Sequence, residues 1–293
     1  MQCTQNIDIK HAHFQQGFSL LEMGIVMVIM GVLLLGMIQP FSQQKENERM
    51  AQAKVQLNEI KVAIMGFIQA HGRLPCPAFP TNTANLIGKE NYIENTDTFC
   101  KNATNVAANH GFIPGNTLGI QGSYTTDGLL LDPWNNPYRY SMSATNNVAA
   151  PATATWDFID IDEMKAVGMA NLLIAGNLLR VCSTQSVNPN NCLPAATNTT
   201  VIDRVPLVFF SMGKDWENTT SPNQRENAGE NGGGLQTIPS VAIPALQYPI
   251  ANNNNFAVSP INISAPANTF DDLVYWISEN EIYAALYQAG HLP

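Results

Sequence analysis

An apolar run from 18 to 38 follows a polar start, and it carries a single carboxylate, Glu22. The stretch "GFSLLEMGIVMVIMGVLLLGMIQP" is about long enough to cross a bilayer as a helix. A charged carboxylate in hydrocarbon costs roughly 2–3 kcal/mol or more, and less near a helix end. Residues 1–17 hold Lys10 as their one basic Lys or Arg and show no apolar periodicity. The run lacks the small-residue A-x-A exit of an ordinary secretory signal. These features predict a polar leader over 1–17 and a membrane-spanning helical half over 18–39, with Glu22 placed early in that helix.

After Pro40 the sequence changes character. In "KENERMAQAKVQLNEIKVAIMGFIQAHG" the apolar residues Met50, Ala53, Leu57, Ile60, Ile64 and Phe67 recur at alternating steps of three and four. That spacing gives an amphipathic helix with one apolar stripe. Gly72 is its stop signal. Residues 18–70 then read as one helix of about 80 Å, at 1.5 Å per residue. Gly31, Gly36 and Pro40 are expected to bend or loosen its middle.

The region 73–293 predicts an α+β domain built on an antiparallel sheet with long loops. Strand candidates are "YRYSM", "WDFIDI", "LVFFSM" and "LVYWIS", rich in aromatic and β-branched residues. The segment "NLLIAGNLLRVC" fits either strand or helix. Polar stretches at 188–200, 218–234 and 251–268 read as irregular loops. "SENEIYAALYQAG" reads as a short helix with a capping box, Ser278 and Glu281, and a closing Gly290.

Charged residues make up 13% of the 293-residue chain, against about 25% in ordinary soluble domains, and the net charge is −9. The acidic balance argues against a broad nucleic-acid surface. Of five cysteines, Cys3 precedes the apolar run; Cys76, Cys100, Cys182 and Cys192 follow it. In an oxidising compartment these four form two disulfides, with three pairings open and local closure favouring 76–100 and 182–192. No phosphate loop, H-E-x-x-H or G-x-S-x-G is present. Asp157, Asp160, Asp162 and Glu163 lie close together in "DFIDIDE", which reads as a solvated strand edge. No enzymatic activity is expected.

The stretch "GFSLLEMGIVMVIMGVLLLG" resembles the N-terminus of type IV pilins and of type II secretion pseudopilins. The resemblance implies that a prepilin peptidase cuts between Gly17 and Phe18 and methylates Phe18. Glu22, the fifth mature residue, then matches the family's assembly glutamate and faces the amine of a neighbouring pilin or pseudopilin subunit. "DPWNNPYRY" is similar to a D-P-W-G-x-P-Y segment of major pseudopilins, with Asn135 in place of Gly. "SMGKDWEN" and "TFDDLVYWIS" resemble that family's calcium-binding loop and closing acidic step. They imply Ca2+ near Asp215, Asp271 and Asp272, although the insertion between them is longer here. "GRLPCPA" matches a helix exit of prepilin-like proteins. Taken together, the resemblance implies a minor, large-domain subunit held in the bacterial inner membrane, with its C-terminal domain in the periplasm. The alternatives are a filament-tip binding module (an adhesin or a DNA-uptake pilin) and, further off, an anchored enzyme.

Overall fold

The computed structural model describes residues 19–93, 99–100, 109–143, 158–159, 161–167, 179–184, 192, 200–216, 221–229, 237–250, 254–262 and 269–292. Two compact units make up the chain, Met1–Glu48 and Arg49–Pro293. Helix α1 runs Leu20–His71 without interruption, Pro40 included.

In the first unit the described apolar side chains run from Leu20 to Leu33. All the large ones are exposed, Leu20 at 94% and Leu33 at 57%. Side chains 34–41 lie outside the described set. Among the described residues, no helix is long and apolar enough to cross a membrane.

In the second unit the α1 stripe behaves as its spacing predicts. Ala53, Leu57, Ile60 and Ile64 are fully buried, Phe67 nearly so, and Ile68 joins them. Burial of each large aliphatic side chain is worth about 1.5–3 kcal/mol. Gly72 ends the helix with φ +71°, its N–H bonding Ile68 O at 2.8 Å.

The remaining elements follow in order: β1 Tyr92–Ile93, β2 Phe99–Cys100, β3 His110–Phe112, β4 Arg139–Met142, α2 Ile161–Val167, β5 Leu179–Cys182 and β6 Thr200–Val205. After these come β7 Leu207–Ser211, α3 Pro222–Asn227, β8 Thr237–Pro239, β9 Gln247–Pro249, β10 Asn255–Ala257, β11 Leu273–Ile277 and α4 Glu279–Gln288.

The central sheet has the order β11-β7-β4-β3 and is antiparallel throughout. Strand β7, "LVFFS", is buried at every position. Successive side chains of a strand point to opposite faces. Leu207 and Phe209 therefore meet Leu57, Ile60 and Tyr140 in one cluster, while Val208 and Phe210 meet Val181, Val205 and Phe256 in another. The second cluster is walled by a smaller sheet, β10-β5-β6, whose β10–β5 pair is parallel. Hence β7 reads as a continuous apolar run, because both its faces are covered.

Polar contacts fasten α1 to this body. Tyr138 donates to Gln56 at 2.7 Å, and beyond the helix end Tyr140 donates to Pro75 O at 2.6 Å. Lys61 pairs with Glu281 of α4 at 2.6 Å. Just past the helix, Arg73 lies 3.7 Å from the Tyr92 ring centroid and grips Glu90 with both terminal nitrogens at 2.8 and 2.9 Å. Glu90 also accepts from Cys76 N, and Cys76 is bonded to Cys100.

Two expectations are corrected. Within "WDFIDI" the described residues are not strand: Phe158 and Ile159 form a turn and α2 starts at Ile161. Both turn side chains are buried, and Phe158 O receives Leu74 N at 2.7 Å. The polar stretches are not wholly irregular. Helix α3 lies within 218–234 and strand β10 within 251–268, and β6 begins at Thr200.

Candidate functional site

Helix α1 starts in a reciprocal cap. Ser19 Oγ accepts the N–H of Leu21 at 3.2 Å, and Glu22 Oε2 accepts the N–H of Ser19 at 3.1 Å. Negative charge is favoured in the first turn, where the helix dipole is positive. This is the S-x-x-E pattern that also starts α4, where Ser278 and Glu281 form a complete capping box. The spacing was legible at Ser19 as it was at Ser278, but the apolar run and the single carboxylate drew the reading away from it. Gly17 and Phe18 lie outside the described residues.

A second constellation gathers three segments far apart in sequence. The "DPWNNPY" turn, the "SMGKDW" loop after β7 and the "FDD" step before β11 converge at one end of the central sheet. Asp132 Oδ1 accepts from Trp134 N and Asn136 N at 2.9 and 2.8 Å, and its Oδ2 accepts from Ser211 Oγ at 2.6 Å. Asn135 takes φ +68°, the left-handed conformation that Asn tolerates. Asn136 donates to Gly213 O at 2.6 Å, tying the first segment to the second. Asp271 Oδ2 accepts from Lys214 N at 2.6 Å, tying the second to the third.

Helix α3 closes the group with two amide side chains that the sequence reading missed. Gln224 Nε2 donates to Asp215 Oδ1 at 2.5 Å and to Asp271 Oδ1 at 2.7 Å, while its Oε1 accepts from Thr269 Oγ1 at 3.1 Å. Asn227 donates to Asp272 Oδ2 at 2.7 Å and exchanges two bonds with the backbone of Ala257. Ser221-Pro222 is an ordinary helix-start signal, submerged here in a polar stretch.

Burial sets the charge state of this group. Desolvation, then the contact with Asp215, pushes the Asp271 carboxyl up to about 8. Desolvation and the neighbouring Asp271 drive Asp272 well above the ordinary carboxylate range. Burial also raises Asp132 to about 6, against its hydrogen bonds. Arg139 is buried beneath them, held down to about 9 by desolvation while the charges of Asp132 and Asp272 pull it up.

The expected calcium ligands are therefore partly brought together: Asp215 and Asp271 touch each other and share the Gln224 amide, and Asp272 turns to Asn227. Calcium takes about six to eight oxygens. Here N–H groups of the chain itself approach Asp215 Oδ1, both oxygens of Asp271 and Asp272 Oδ2, while Asp272 Oδ1 is buried without a partner. Among the described residues, no group of three or more His, Cys, Asp or Glu is placed to hold a metal ion.

Of the other candidates, Asp157 and Asp160 lie outside the described residues. Asp162 is exposed and sits 3.9 Å from Lys165. His110 is half-buried against Ser141 Oγ at 2.9 Å, and desolvation lowers its pKa to about 4. The four cysteines form Cys76–Cys100 and Cys182–Cys192, with Cα separations of 5.3 and 5.4 Å.

Helix α1 thus opens with a serine–glutamate cap directly after the polar start of the chain. Residues 13–38 match the family model of the prokaryotic N-terminal methylation motif, the prepilin-type leader of type IV pilins and pseudopilins. No curated protein and no solved structure matches the chain. The motif supports a type IV pilin-like or pseudopilin subunit, and it implies processing by prepilin peptidase and assembly with other pilin subunits.

Proposed function

We propose that this chain is a minor pilin or minor pseudopilin, a structural subunit of a type IV pilus or a type II secretion pseudopilus. The match at 13–38, with Glu22 in the first turn of α1, is the observation that carries it. The apolar segment 18–39 holds the precursor in the inner membrane with the head in the periplasm. Two disulfides in the head suit that oxidising compartment. Cleavage between Gly17 and Phe18 removes the leader 1–17 and creates a cationic, methylated amine at Phe18. In a filament, the Glu22 carboxylate of one subunit faces that amine on its neighbour. Between desolvated helices such a pair is charge-assisted, and its main effect is to set register.

Co-expression with a prepilin peptidase and mass spectrometry of the product tests this. The mature chain is expected to begin at N-methyl-Phe18, and Gly17→Leu to block the cut. An intact Met1 start, or a cut after Ile38, overturns the reading.

A further inference from the structure

We propose that the acidic loop of this chain is closed by the Gln224 side-chain amide in the place where a pseudopilin-like loop would use a cation, so that the head folds and holds its loops without calcium. The reasoning is one of donor chemistry. A cation joins two loops by drawing oxygens from both to one positive centre. The Gln224 amide nitrogen does the same with two N–H bonds, to Asp215 on the β7 loop and to Asp271 on the β11 step. Its carbonyl oxygen accepts from Thr269, and a flipped amide would lose both carboxyl contacts. Gln224 is 2% exposed, which makes it a built-in part of the core.

Two further oxygens are met by the chain, while Asp272 Oδ1 is buried without a hydrogen-bond partner. Lys214 N reaches Asp271 Oδ2, and Asn227 reaches Asp272 Oδ2. Gly213 leaves no space on the near side: with φ +64°, a Cβ there would collide with the Asp271 carboxyl. Both oxygens of the Asp271 carboxyl are thus packed against protein donors and the Gly213 backbone. Helix α3 carries both amides, Gln224 and Asn227, one turn apart on one face. One short helix therefore supplies the closure for both Asp271 and Asp272.

The test uses the full chain in detergent and does not depend on leader processing. Thermal unfolding is followed in calcium chloride and in EGTA, together with calorimetric titration by calcium chloride. The wild type is expected to give the same midpoint in both and no binding heat. Gln224→Glu exchanges the donor for a third carboxylate. It is expected to lose several degrees in EGTA and to recover them in calcium chloride, a calcium dependence the wild type lacks. Gln224→Met removes the amide without adding charge, and is expected to lose stability equally in both solutions. A wild-type midpoint that rises in calcium chloride and falls in EGTA overturns the proposal. So does a Gln224→Met chain as stable as the wild type.

Discussion

At the scale of single residues, Glu22 has two partners to satisfy, one in its own chain and one proposed in the next. Its bond to Ser19 N belongs to the isolated helix. Substitution separates the two. Glu22→Gln keeps an oxygen for the Ser19 N–H and loses the charge; Glu22→Ala loses both. Both variants are expected to insert into the membrane and to be cleaved normally. Both are also expected to be poorly recovered in sheared filaments and in crosslinks to the neighbouring subunit. Equal crosslinking of wild type, Ala and Gln would show that the carboxylate serves only the cap. Gly213 makes a different demand. Its positive φ and the adjacent Asp271 carboxyl leave no place for a methyl group. Gly213→Ala is expected to destabilise the head by on the order of 1–3 kcal/mol, read from urea unfolding.

At the scale of elements, local patterns were legible where one physical cause dominated. The 3.6-residue stripe of α1 was visible because only one face is covered. The caps of α4 were visible because Ser278, Glu281 and Gly290 stand at fixed offsets. The convergence of the three acidic segments was foreshadowed only by resemblance, since long-range pairing leaves no periodic trace. Helix α3 was missed because a six-residue helix of polar residues has no apolar stripe, and its buried amides look like loop composition. "WDFIDI" misled because aromatic and β-branched residues fill buried turns as readily as strands. Both disulfides close short loops, as local closure favoured. The 76–100 bridge spans 24 residues and clips the helix exit to β2. Removing it as a Cys76→Ala, Cys100→Ala pair is expected to cost about 3 kcal/mol in denaturant unfolding. Ile60→Ala, in the centre of the α1 stripe, should cost about 2–5 kcal/mol in the same assay.

At the scale of the whole molecule, the buried titratable groups shape a pH profile. Asp271 keeps its proton in the folded chain to about pH 8 and releases it near 3.8 when unfolded. Between those values the folded state binds more protons, so stability falls as pH rises. Asp272 acts in the same direction. His110, held neutral down to about 4 against an ordinary 6.5, acts oppositely, and its contribution is lost as pH falls through that range. Above about 6.5 the carboxyl trend is unopposed by His110. The unfolding midpoint should therefore decline from there to about pH 8, and Asp271→Asn should flatten that decline in a thermal scan. The boundary between the two units also bears on how the gene can be cut. It falls at Arg49, inside α1, because the stripe from Ala53 to Ile68 belongs to the head's own core. A recombinant fragment begun at Arg49 keeps that stripe and should elute from a sizing column as one monodisperse species. A fragment begun at Arg73 follows the visible end of the helix, yet it strips the cover from Tyr138, Tyr140 and Phe209. That fragment should come off the ribosome with half an interior, and reach the column as aggregate.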